Sequence, residues 1–310
     1  GFKLGVVGFT LPELPTLIFP GYLDPFVITD PTTTVNAEVA KLSSAIPGIQ
    51  VVTMGQVMNS ISTLAASARV LSLSIVAIAV LYFGYLLLGA GLSSAEKKRT
   101  GVLIMLFVCC AVFWSGFEQA GSSFNLFAER LTDRHIGSFE VPAAWFQWLN
   151  AIYIVLLATP FAALWIWLGA RGRDPSAPLK FSIGLAGMAL GFPVIAAAAA
   201  LAATGQQVGM GWLAAVYLIH TLGELCLSPV GLSAFTKLAP ARFAGQSLGV
   251  WFTATALGEL IASLFAGNID FGNLTEMPGQ YLHIFWFGII AAALMLALTP
   301  LARRWSGGVR

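Results

Sequence analysis

The chain has 310 residues, of which 57% are hydrophobic and 10% are charged, and its formal net charge is +2. Soluble domains carry about 25% charged residues, so this composition indicates a membrane protein. The net charge is too small to predict a nucleic-acid partner. The cysteines lie in apolar runs without metal-ligand or disulfide spacing, so we predict buried inert thiols and neither a metal site nor a cofactor. These cysteines are Cys109, Cys110 and Cys226.

Residues 1–69 are predicted to be a poorly defined linker region, because the prolines between Pro12 and Pro31 interrupt any long helix. The chain starts at Gly1 and runs directly into apolar sequence, so we expect it to be the C-terminal part of a longer protein. The segment 70–95 has no formal charge and predicts an extra membrane helix.

Residues 96–310 are predicted to form a bundle of six membrane spans, because each uncharged run is close to the 20 or so residues that a spanning helix needs. A glycine-rich turn at 205–209 divides the longest run into two. The predicted spans start near residues 100, 141, 181, 209, 243 and 278.

Basic residues concentrate in alternate loops of this bundle, which predicts its orientation. The intervening loops hold Arg130 and Arg134 together with several acidic residues. The positive-inside rule places the basic loops on the cytoplasmic side of a cell membrane, which we expect to be a bacterial inner membrane. The eleven basic residues of these loops are Lys97, Lys98, Arg99, Arg171, Arg173, Lys180, Lys237, Arg242, Arg303, Arg304 and Arg310.

Two glutamates, Glu118 and Glu224, lie within predicted spans. A carboxylate near the bilayer centre costs roughly 2.5–3.5 kcal/mol on insertion scales, so it persists where it faces a polar cavity or a partner. Both are therefore predicted functional residues of a transport pathway. The alternatives are a structural ion pair for Glu118 and, for Glu224, a packing kink at Pro229 with the carboxyl satisfied by Ser228 or His220.

Other polar and aromatic residues inside the spans are candidates for lining a cavity, although each could instead pack in the core, face lipid or bond a neighbouring helix. His220, Glu224 and Ser228 share one helical face but cannot surround a single substrate atom, so the sequence does not predict an enzyme. The cavity candidates are Trp114, Asn150, Trp251, Phe252 and Thr255, with Glu259 nearer the outside.

Four long blocks carry a family resemblance. They are FWSGFEQAGSS at 113–123, VPAAWFQWLN at 141–150, GELCLSPVGL at 223–232 and LGVWF at 248–252. In these blocks the chain resembles the C-terminal half of the proton-dependent oligopeptide transporter family, within the major facilitator superfamily. The resemblance spans about residues 96–300.

This resemblance implies a fold of two six-helix bundles, of which the second is evident here, and uptake of di- and tripeptides driven by protons. It implies that Glu224 meets the peptide amine and that Glu118 pairs with an arginine of the first bundle. The family's Glu-x-x-Glu-Arg motif is absent, and Glu259 stands where the family usually has asparagine. The residues implied to contact peptide besides Glu224 are Trp114, Asn150, Trp251, Phe252 and Thr255.

The leading hypothesis is therefore a proton-coupled peptide symporter whose partners are small peptides, protons, the lipid bilayer and an N-terminal six-helix bundle. One alternative keeps the fold and changes the cargo, for example to nitrate. The other is a membrane protein that does not transport and consists of a half-bundle.

Overall fold

The computed structural model describes residues 70–307, so the predicted linker region at 1–69 lies outside the described residues. Seven helical segments in this range are long and apolar enough to cross a membrane, which confirms the predicted number of spans and the all-α fold. The helices are α1 (Val70–Gly89), α2 (Ser94–Phe117), α3 (Ser123–Leu131), α4 (Trp148–Ala170), α5 (Ala177–Ala202), α6 (Gly211–Leu238), α7 (Ala244–Ala266) and α8 (Met277–Ser306).

Helices α2 and α3 belong to one long apolar segment, Ser94–Leu131, that a 3-10 turn at Glu118–Gly121 interrupts. The segment begins earlier than the predicted residue 100 because Ser93 and Glu96 form a capping box. In that box Ser93 Oγ accepts from the Glu96 amide, and a Glu96 carboxylate oxygen accepts from the Ser93 amide.

Alternate loops lie at the same end of the bundle. At one end, strand β1 (Thr132–Asp133) pairs in parallel with β4 (Val208–Gly209), so the loop after α3 meets the loop before α6. Between them, β2 (His135–Ile136) and β3 (Phe139–Glu140) form a small antiparallel hairpin. At the other end, the Arg242 guanidinium before α7 donates to the Ala90 carbonyl after α1.

The core lies between α2, α5, α6, α7 and α8, and α5 packs mainly against α6 and α8. By contrast, no residue of α4 is buried within Trp148–Ala170. The largest fully buried side chains of the described residues include Phe113, Phe124, Phe127, Phe181, Phe192, Phe235 and Tyr281.

Glycines let the backbones of α5 and α6 touch. A Cβ added at Gly223 would lie 2.7 Å from the Gly184 carbonyl oxygen, and one added at Gly187 would lie 2.9 Å from the Gly223 Cα. Real Cβ atoms do not approach other atoms this closely, so larger residues would force the helices apart. The close contact at Gly223 therefore fixes the position of Glu224, the next residue of α6, along the axis of α5.

Candidate functional site

Glu224 lies in the middle of α6 and is half-buried. Its Oε2 accepts a hydrogen bond of 2.9 Å from Nδ2 of Asn150, which lies in the first turn of α4. The same Asn150 nitrogen donates to Oγ1 of Thr221 at 3.1 Å. The structure thus brings together two of the predicted site residues, and it shows Asn150, rather than Ser228 or His220, bonded to the carboxylate.

Thr221 and Tyr217, which were not predicted as site residues, precede Glu224 by three and seven residues on the same face of α6. Thr221 donates to the Tyr217 carbonyl at 2.7 Å, which leaves its oxygen oriented to accept from Asn150. The Tyr217 hydroxyl donates to the Ala120 carbonyl, in the turn that follows Glu118, at 3.2 Å. Helical spacing from Glu224 is the sequence signal that could have identified both residues.

Glu118 caps the C-terminus of α2 and begins the 3-10 turn, and its side chain is half-buried. It lies within electrostatic range of Glu259 on α7 and Glu224 on α6. Among residues 70–307, no lysine, arginine or histidine forms an ion pair with any of these three carboxylates. The described part of the site is therefore acidic, and it favours a cation or protons.

The predicted aromatic residues lie in different environments. Trp114 is partly buried and packs edge-to-face on Phe117, next to Glu118. Trp251 is 3% exposed and packs between Phe181 and Phe235, and Phe252 is 62% exposed. Contact of these three side chains with a peptide remains a prediction.

Thr255 lies on the face of α7 that meets α2. Its hydroxyl donates to the Trp251 carbonyl at 3.3 Å and lies 3.9 Å from Cys110 Sγ. Contact of Thr255 with a peptide likewise remains a prediction. Glu259 lies one turn further along α7 and is exposed.

His220 is buried among aromatic rings. Its ring lies against Phe117, Phe124 and Phe192. The residues that the structure describes contain no group of three His, Cys, Asp or Glu side chains that could hold a metal ion. All three cysteines are buried free thiols, as predicted.

Seven apolar spans around half-buried carboxylates define a multi-pass membrane protein of the transporter class. The POT family model matches residues 91–281, so the chain belongs to the POT family, which is a family of transporters and not of enzymes. The sequence resemblance and the prediction that the chain is not an enzyme are thereby confirmed.

Individual relatives support the same assignment. The peptide transporter YePEPT of Yersinia enterocolitica is 42% identical over 239 residues, which are 76% of this chain and 47% of that protein. A di-/tripeptide transporter of Lactococcus lactis subsp. cremoris is 30% identical over 78% of this chain and 48% of its own length. The chain therefore spans about half the length of these curated relatives.

Solved structures show the same fold. The crystal structure of a mutant of a peptide transporter POT in complex with alafosfalin superimposes with a TM-score of 0.72 at 29% identity. The match covers 90% of this chain and 54% of that one. This likeness confirms the predicted major-facilitator type of bundle.

Proposed function

We propose that the complete protein is a proton-coupled symporter of di- and tripeptides, to which this chain contributes the C-terminal bundle. Glu224 and Asn150 bind the peptide amine, and Glu118 exchanges the coupled proton. Membership in the POT family supports this proposal, as do relatives named as peptide and di-/tripeptide transporters.

The observation that carries the proposal is the hydrogen bonding of Glu224. The carboxylate is half-buried in a membrane helix, and its partner among residues 70–307 is the neutral amide of Asn150. A carboxylate removed from water is stabilised most by a charged donor, and a peptide ammonium is one. Asn150, which also donates to Thr221, holds the carboxylate in place for that contact.

Charge argues against the alternative cargo. Glu118 lies within electrostatic range of Glu224 and of Glu259, and the described residues pair none of the three with a cation. An anion such as nitrate would be repelled there, whereas an ammonium group is attracted. A zwitterionic peptide would present its amine to these carboxylates and its own carboxylate to the N-terminal bundle.

Uptake by the complete protein, reconstituted in liposomes, tests the proposal. With an inward proton gradient we expect labelled dialanine to accumulate above its external concentration. A protonophore should abolish that accumulation, and excess unlabelled trialanine, but not nitrate, should compete. Uptake no greater than in protein-free liposomes would refute transport, and accumulation insensitive to the protonophore would refute proton coupling.

The protein is proposed to lie in a bacterial inner membrane with its basic loops in the cytoplasm, since the named relatives are bacterial and alternate loops share one end of the bundle. Single cysteines at the exposed positions Ser138 and Ala241 test this orientation, and the native thiols, being buried, give little background. In intact cells an impermeant maleimide should label S138C and spare A241C. The reverse pattern would invert the orientation.

A further inference from the structure

The 3-10 turn at Glu118–Gly121 breaks a membrane helix, and such a break leaves backbone groups without their helical partners. Two buried side chains hold this region, one from the turn itself and one from α6. Neither is part of the proposed peptide-binding set, and both act on the residues that immediately follow Glu118.

The first of these side chains is Gln119, which is fully buried at 0% exposure. Its Nε2 donates to the Ala262 carbonyl of α7 at 2.9 Å and, more weakly, to the Ser115 carbonyl of α2 at 3.4 Å. Its Oε1 accepts from the Ser123 hydroxyl of α3 at 2.7 Å. One amide therefore joins the helix before the break, the helix after it, and α7.

The second is Tyr217 of α6, which is 3% exposed and donates to the Ala120 carbonyl at 3.2 Å. The turn is consequently attached to α7 through Gln119 and to α6 through Tyr217. Glu118 directly precedes these attachments and is itself half-buried. Its carboxylate has no side-chain attachment of this kind among residues 70–307, so its position depends on how the turn is held.

We propose that Gln119 is a positioning residue for proton coupling: it fixes the broken turn to α7 and thereby sets where the Glu118 carboxylate lies relative to α6 and α7. This inference rests on the proposed symport. A glutamine suits the position because it supplies a donor and an acceptor together, which an apolar side chain of the same length does not. Loss of the amide leaves Glu224 and Asn150 unchanged but lets the turn shift, so that protonation of Glu118 no longer tracks the movement of the other helices.

The test compares Gln119→Met with the unmutated complete protein in liposomes. Two rates are measured on each sample: accumulation of labelled dialanine driven by a proton gradient, and counterflow of dialanine without a gradient. We expect the ratio of accumulation to counterflow to fall roughly 10-fold, from the loss of buried hydrogen bonds. Counterflow and the peptide concentration at half-saturation should change by less than about 2-fold.

Gln206→Met is the matched control, because Gln206 is exposed in the loop before β4. It should leave the ratio unchanged. An unchanged ratio in Gln119→Met, or an equal fall in accumulation and counterflow, would overturn the positioning role. Absence of gradient-driven accumulation in the unmutated protein would instead count against the proposed function itself, so the two failures are distinguishable.

If Gln119→Met does not yield folded protein, Ser123→Ala tests the positioning role of Gln119 instead. It removes one bond to Gln119 and keeps the amide, so it should lower the ratio about 3-fold. Thermal unfolding in detergent is measured for each variant to confirm that it is folded. A folded Ser123→Ala protein with an unchanged ratio would also refute the proposal.

Discussion

The two intramembrane glutamates are held in different ways. Glu118 lies where a helix is broken, and neighbouring residues attach the backbone of that break to α6 and α7. Glu224 lies inside a continuous helix, and a side-chain amide from α4 bonds directly to its carboxylate. Hydrogen bonds to other helices thus hold the backbone beside Glu118, whereas at Glu224 a hydrogen bond is made to the carboxylate itself.

This difference suits the two proposed roles. A hydrogen bond from a neutral amide can be exchanged for one from an ammonium group, so Glu224 can bind and release a ligand without rearrangement of its helix. A carboxylate on a fixed turn can change charge while its position stays defined, which is what a coupling residue needs. Mutation of either glutamate should therefore impair one function and spare the other.

The largest effect is expected for Glu118→Gln in the complete protein. Glutamine permanently resembles the protonated carboxyl, so the residue can no longer change charge during the cycle. We expect gradient-driven accumulation of dialanine to be lost and counterflow, which needs no net proton movement, to remain. The two assays on one reconstituted sample measure this.

Glu259→Gln serves as the comparison for Glu118→Gln, because it removes a nearby carboxylate of the same acidic group that is exposed on α7. It should retain accumulation. If Glu118→Gln accumulates peptide at the unmutated level, Glu118 has no part in coupling and is a structural residue.

A smaller effect is expected for Glu224→Gln, which keeps the shape and removes the charge. A hydrogen bond to a charged group contributes about 1.5–3 kcal/mol, so peptide affinity should fall about 10- to 150-fold. Competition binding with dialanine measures the change, and N-acetylated dialanine, which lacks the ammonium, provides the control ligand. Equal affinity of the mutant and the unmutated protein for dialanine would remove Glu224 from amine binding.

The smallest effect is expected for Asn150→Leu. It removes a neutral donor from Glu224, for which about 1 kcal/mol, or about 5-fold in peptide affinity, is expected. Tyr153→Phe is the matched control, because it removes a different bond from α4 to α6, the one to the Ala214 carbonyl. Equal losses in the two variants would mean that Asn150 merely attaches α4 to α6.

Hydropathy was sufficient to predict the spans, because the length and apolar character of each run are local properties. The family resemblance indicated both Glu224 and Asn150, which the structure brings within 2.9 Å. The break at Glu118 and the hydrogen bonds of Gln119 were not predicted, and the bond from Gln119 reaches the Ala262 carbonyl, a partner distant in sequence. The sequence signal that could have indicated Gln119 was a side-chain amide inside an apolar span.

Trp251 illustrates the limit for aromatic residues. A tryptophan in the middle of a span can either line a cavity or pack in the core, and the sequence around it does not distinguish these two environments. The structure places its indole against Gly231 of α6, where an added Cβ would lie 2.2 Å from the ring. The space for the side chain is thus created by a glycine on another helix, which local sequence does not reveal.

The glycine crossing of α5 and α6 has a mechanical consequence. At Gly187 and Gly223 backbone lies against backbone, so no side chain at this point of the crossing can change rotamer and allow the helices to slide. We therefore expect the two helices to move as one rigid unit that includes Glu224. If the complete protein transports as proposed, we expect helix movement at contacts made by side chains instead, such as those between α4 and α6, where amide and hydroxyl hydrogen bonds can break and re-form.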